Sequence, residues 1–210
     1  MTKSDDQDKS FAYWEDAQTT YLASPDYYDK QEINLRNILK NYGPFLRGLD
    51  VGCGDGRYTF VASEHTQKMV GIDIGPYLLD QAKNRKQALE KGANINFLAQ
   101  SVTSLTYSNE FDLIMCLGVT SALITPKNFQ RTITGIAAAS TIGSLLITKD
   151  TLATKQTYIS TQGDYIACYR NQELYLNTIE ASGYELLETQ ELITANDLTV
   201  NVICVFRKAK

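Results

Sequence analysis

Asp50-Val51-Gly52-Cys53-Gly54-Asp55-Gly56 follows a short apolar run, Gly48 to Val51, and precedes an amphipathic stretch, Arg57 to Glu64. Glycines at every second position after a strand let the backbone turn tightly and approach a ligand closely. Downstream, Lys68 to Asp73 reads as a second strand and Pro76 to Lys91 as a helix, with Pro76 in its first turn and Gly92 past its end. Upstream, Ile33, Leu35, Ile38 and Leu39 recur at helical spacing within Asp29 to Tyr42, which Gly43-Pro44 stops.

Asn96 to Ala99 is a third strand, and the continuous apolar run Phe111 to Leu117 is a strand buried on both faces. Thr125-Pro126 is a cap and a first helical residue, so Lys127 to about Thr141 is expected to be helical and to end near Gly143. Ser144 to Thr148 follows as a strand. Glu173 to Ser182 is a helix closed by Gly183, and Glu185 to Leu192 and Thr199 to Arg207 form a hairpin.

This order predicts an α/β fold: a doubly wound, mostly parallel seven-stranded sheet with an antiparallel C-terminal hairpin and helices on both faces. A chain of 210 residues, 43% hydrophobic, buries one good core. A single domain over 1–210 is expected, with 1–10 a disordered tail, 11–45 an N-terminal helical cap and 151–170 a lid-like insertion.

A net charge of −4 leaves no basic excess to neutralise a phosphate backbone, so no nucleic-acid partner is expected. Four scattered cysteines without a C-x-x-C pair fit reduced thiols. With no signal-like N-terminus and no apolar stretch of about 18 residues, the expectation is a cytoplasmic protein without a membrane span. None of these features specifies an oligomeric state.

A lone Gly-x-Gly-x-Gly is unspecific, and it gains meaning from Asp73. That acid ends the second strand, where a carboxylate accepts hydrogen bonds from both hydroxyls of a ribose. With these two features in register, residues 46–150 resemble the class I S-adenosylmethionine (SAM)-dependent methyltransferases. The resemblance implies a SAM site in which Asp50 positions the turn near the methionine ammonium and Gly52, Gly54 and Gly56 admit the cofactor. It further implies that Asp73 binds the ribose, that Ile74 packs on adenine, and that the end of Phe111 to Gly118, at Leu117, lies beside the methionine and the substrate. Where the family commonly places an adenine-binding Asp, this chain has Gln100-Ser101-Val102, so that role passes to Ser101 and the Val102 backbone. A nicotinamide dinucleotide fits less well, because Arg57 stands where close helix packing and a pyrophosphate want a small residue.

Methyl transfer needs alignment and exclusion of water more than it needs a base. The only histidine, His65, lies at the far end of its helix from the methyl site. Asp150 and Tyr169 are the candidate catalytic groups, as proton acceptor or substrate guide, and Arg170 is a candidate partner for an acidic group. Among the aromatics of the N-terminal segment (Phe11, Tyr13, Trp14, Tyr21, Tyr27, Tyr28), Tyr28 is the candidate cofactor contact, and Arg36 is a candidate donor to the methionine carboxylate.

Together these features indicate a SAM-dependent methyltransferase acting on an N or O atom of a small molecule. The alternatives are a methyltransferase that reaches a protein or nucleic acid through a partner subunit, and a SAM-binding module without transfer. No metal is expected, since Asp150 has Lys149 beside it and no nearby second acid. Transfer activity is therefore expected to be unchanged in EDTA; loss that Mg²⁺ restores would contradict this.

Overall fold

The computed structural model describes residues 3–88 and 94–210. Its order is α1 (Lys3–Glu15), α2 (Pro25–Tyr42), β1 (Phe45–Val51), α3 (Arg57–Ser63), β2 (Thr66–Asp73), α4 (Pro76–Ala88), β3 (Ile95–Ala99), β4 (Phe111–Leu117), α5 (Pro126–Ala139), β5 (Ser140–Ala153), β6 (Tyr158–Gln162), β7 (Tyr165–Tyr169), α6 (Gln172–Glu180), β8 (Tyr184–Asn196) and β9 (Thr199–Lys208). The expected glycine stop at Gly92 falls outside the described residues.

Seven strands form one sheet in the order β3-β2-β1-β4-β5-β9-β8. The first five pair in parallel, and β9 is antiparallel to both β5 and β8, which gives the expected doubly wound sheet with its C-terminal hairpin. The strand order reverses between β1 and β4, which places a binding crevice at their carboxyl ends.

Alternation along β4 accounts for the two-faced core. Ile114 and Cys116 point into a cluster with Phe129, Ile133 and Ile136 of α5, Tyr175 and Ile179 of α6, and Phe206. Leu113 and Met115 point into the opposite cluster, with Leu35, Ile38 and Leu39 of α2 and Val61 and Ala62 of α3. The α5 spacing follows directly, since Phe129, Ile133, Ile136 and Ala139 form one buried stripe. Its start is fixed by Pro126 and by the Thr125 side chain, which accepts the Asn128 N–H at 3.2 Å.

Several boundaries differ from those read in the sequence. Helix α2 begins at Pro25, and its buried face is Tyr27, Tyr28, Gln31, Leu35, Ile38 and Leu39. Ile33 is 60% exposed and does not belong to that stripe. Helix α5 stops at Ala139, and β5 starts at once, with Gly143 at φ +83 inside a register shift between the Phe111 and Leu113 pairs. Residues 3–10, expected as a disordered tail, are the first turns of α1. Gln7 Nε2 and Ser10 Oγ donate to the Ala122 carbonyl at 2.9 and 3.0 Å, and Gln7 Oε1 accepts the Thr125 N–H. The irregular insertion expected over 151–170 is instead the end of β5 followed by the β6–β7 hairpin.

Among the described residues, no helix is long and apolar enough to cross a membrane. Phe206 is fully buried against Tyr184 and is expected to dominate the packing of the C-terminal hairpin. Phe206→Ala should destabilise the protein by about 3–5 kcal/mol, read as a lower urea midpoint with an unchanged slope; a shift under about 1 kcal/mol would show that this face repacks freely.

Candidate active site

The carboxyl ends of β1, β2, β4 and β5 open into a cavity of about 750 Å³. Its floor is the glycine turn. Gly52 (φ +76) and Gly54 (φ +52) occupy the left-handed region, and a Cβ on either would stand 2.4 Å from Val119 or 2.5 Å from Thr20. Only glycine satisfies both the dihedral and the space there. The turn is pinned to β2, since Gly52 N and Cys53 N both donate to the Ile72 carbonyl at 2.8 and 2.9 Å.

Asp73 completes this anchorage. One carboxylate oxygen accepts the Gly54 N–H and the other the Gly75 N–H, each at 2.8 Å. A carboxylate has about four acceptor sites, so acceptor capacity remains for a ligand on the cavity side. Burial raises its pKa, and the Gly75, Gly54 and Ile74 amides oppose that rise by stabilising the charge.

The other candidate residues divide into two groups. Tyr28, Ile74, Ser101, Val102, Leu117 and Tyr169 join Gly52, Gly54 and Asp73 on the cavity wall. The Tyr28 hydroxyl donates to the Thr20 carbonyl and accepts from the Leu22 and Ala23 N–H groups, so it also shapes the loop over the cavity. Ser101 Oγ accepts the Thr103 N–H.

Asp50, Gly56, Arg36 and Asp150 are not on that wall. Asp50 lies beneath the turn, where Thr59 Oγ1 donates to it at 2.6 Å and burial pushes its pKa up to about 7. Gly56 begins α3 and packs on Phe97. Arg36 is paired with Glu32 and Glu64 at 3.0 and 2.9 Å. Asp150 turns to the opposite face of β5, where the Tyr175 hydroxyl donates to it at 2.9 Å; burial raises its pKa to about 6. Arg170 is committed to packing: its guanidinium donates to the Thr120 and Leu123 carbonyls and stacks 4.1 Å from the Phe129 ring centre. His65 sits at the amino end of β2, away from the cavity.

Several wall residues were not singled out as site residues from the sequence. Arg57 stands at the first turn of α3, paired with Asp29 and Glu32 and about 5.8 Å from the Tyr21 and Tyr58 ring centres. Lys149, the neighbour of Asp150, faces the cavity, with Nζ 4.8 Å from the Tyr27 ring centre. Asn201 Oδ1 accepts from the Tyr27 hydroxyl at 3.0 Å and from Thr151 Oγ1 at 2.7 Å. The roof is aromatic: Tyr13 and Trp14 of α1 meet Tyr165 of β7 edge-on, at 5.3 and 6.2 Å between centres. Ser10 Oγ also reaches the Ile166 carbonyl at 3.3 Å, which ties α1 to the hairpin.

Known proteins share this fold. Residues 49–141 match the family model of a methyltransferase domain. A ubiquinone biosynthesis O-methyltransferase of Coxiella burnetii is 31% identical over 112 residues, 53% of this chain and 42% of that protein; the chain thus spans less than half the length of that relative. Among solved structures, the N-methyltransferase NodS from Bradyrhizobium japonicum in complex with S-adenosylhomocysteine (SAH) superposes with a TM-score of 0.73 at 15% identity, covering 100% of both chains. A SAM-dependent methyltransferase from Leishmania major gives 0.77 at 17% identity, over 95% of this chain and 82% of that one. Residues 49–141 thus match a methyltransferase domain, and the chain has the fold of the class I SAM-dependent methyltransferases.

Proposed function

We propose that the chain transfers the SAM methyl group to a nitrogen or oxygen atom of a small molecule, releasing SAH. The observation that carries this reading is the pairing of the glycine turn with Asp73 at the mouth of a cavity that also extends under an aromatic roof. Seated there, the cofactor's ribose meets the cavity side of the Asp73 carboxylate, and its adenine lies along Ile74, Ser101 and Val102. The methionine end runs over Gly52 and Gly54 toward Leu117. Arg57 takes the role that the sequence suggested for Arg36, because it is the guanidinium on the cavity wall and its exposed partner Asp29 is readily exchanged for a ligand carboxylate.

The volume beyond the cofactor, bounded by Tyr27, Lys149, Thr151, Tyr165 and Tyr169, suits a compact acceptor. Helix α1 and the β6–β7 hairpin cover it, which favours a small molecule over a polymer. The names of the O-methyltransferase from Coxiella and of the N-methyltransferase NodS are in keeping with either acceptor atom. Positioning and exclusion of water supply most of the rate in such a displacement.

Calorimetry with SAH tests the cofactor half. Asp73→Ala is expected to weaken SAH binding by about 2 kcal/mol or more, roughly 30-fold, through the lost ribose bonds. Unaltered affinity in a folded variant would remove Asp73 from the site. Incubation with SAM and a metabolite extract tests the transfer: SAH should accumulate, and tight binding without SAH formation would favour a non-catalytic module.

A further inference from the structure

Lys149 is a charged wall residue whose placement the cofactor does not explain. Its side chain is buried, and its register partners are apolar, Leu117 on β4 and Ile203 on β9. Among the described residues, no carboxylate lies within ion-pair distance of its Nζ. The groups that bear on it are Asp150, next along β5 on the opposite face, and the Tyr27 ring of α2, with the Tyr165 and Tyr169 phenols of β7 farther along the same wall. A Cβ on Gly118 would stand 3.8 Å from Nζ, so the amine lies over the end of β4, beside the methionine end of the proposed cofactor site.

A buried ammonium without a partner is costly, and the cost falls when it becomes neutral or meets an anion. Here burial lowers its pKa to about 8, with Asp150 limiting the fall. Tyr27, Tyr165 and Trp14 border the same space with ring surfaces.

On the methyl-transfer reading given above, we propose that Lys149 is the proton acceptor of the reaction and that the acceptor substrate is a phenolic hydroxyl held against its Nζ. The phenol's proton passes to the amine lone pair, and an oxygen electron pair forms the bond to the methyl carbon. The carbon–sulfur bond breaks with its pair going to sulfur, leaving a methyl ether, SAH and the lysine ammonium, which returns its proton to water. Amine and phenol share one proton before transfer, so their ionisations belong to the pair. An alkylamine acceptor suits the site less well. It arrives as a cation with a pKa near ~10.4, repelled by an ammonium and too basic to surrender its proton to this lysine.

4-Nitrophenol and 4-nitrocatechol, whose phenolates are coloured, test this on SAH-saturated protein. Either probe is expected to bind saturably as the phenolate at mildly acid pH, with a phenolate-to-phenol ratio at least about tenfold above that in buffer. Lys149→Met should abolish that excess while keeping wild-type SAH affinity. With an unactivated phenol as substrate, its own pKa near ~10, kcat/KM should fall as pH drops below about 8, where the lysine gains its proton. Absence of saturable binding by both probes, binding as the neutral phenol, or an unchanged excess in Lys149→Met would each overturn the proposal. The wild-type colour alone can do so, whether or not the variant folds. Failure of SAH itself to bind wild-type protein would instead overturn the methyltransferase reading, and this proposal with it.

Discussion

The site depends on one carboxylate serving two turns. Asp73 ends β2, yet it accepts a hydrogen bond from Gly54 in the loop after β1 and another from Gly75 in its own loop. Charged acceptors make such bonds stronger than neutral ones, about 1.5–3 kcal/mol each. The two βα turns beside the switch point are thus held as one unit before any ligand arrives. Preorganisation of this kind removes part of the ordering cost of binding.

Around this anchor, the two-faced burial of the parallel strands divides the side chains of each strand by parity. On β5, Lys149 and Thr151 face the cavity, whereas Asp150 faces Tyr175 of α6. Neighbours in sequence therefore have different tasks: Asp150 accepts from a buried hydroxyl in the core, and Lys149 is left to the cavity. The roof has a similar division. Gln7 and Ser10 fasten α1 to the Ala122 and Ile166 carbonyls, and Tyr13 and Trp14 extend over the space beneath. Arg170 fixes the Thr120 and Leu123 carbonyls of the same turn that holds Ala122.

The features legible in the sequence were those governed by local rules. Glycines after a strand, a Pro at a helix start and an apolar run over Phe111–Leu117 each depend on near neighbours, and they located the strands and the turn. Strand phase was not legible. Ser144 to Asp150 is buried on both faces, so no polar alternation distinguishes the face of Lys149 from that of Asp150. Tertiary partners were equally hidden: Arg36 and Arg57 both look available, and only packing shows that Glu64 occupies the former while the latter stands on the cavity wall. The polar N-terminus resembles a free tail because its mean composition conceals two specific contacts, Gln7 and Ser10, that dock the helix. Ile33 fits the helical period but lies on the outer face of α2, a few residues off the stripe that Tyr28, Gln31 and Leu35 bury.

The most direct measurement is a crystal structure of the protein grown with SAH. The account predicts ribose hydroxyls within hydrogen-bond distance of Asp73, adenine between Ile74 and the Ser101–Val102 segment, and the sulfur above Leu117 and Gly118, facing Lys149. A ligand bound elsewhere, or bound in this cavity with its ribose away from Asp73, would contradict it.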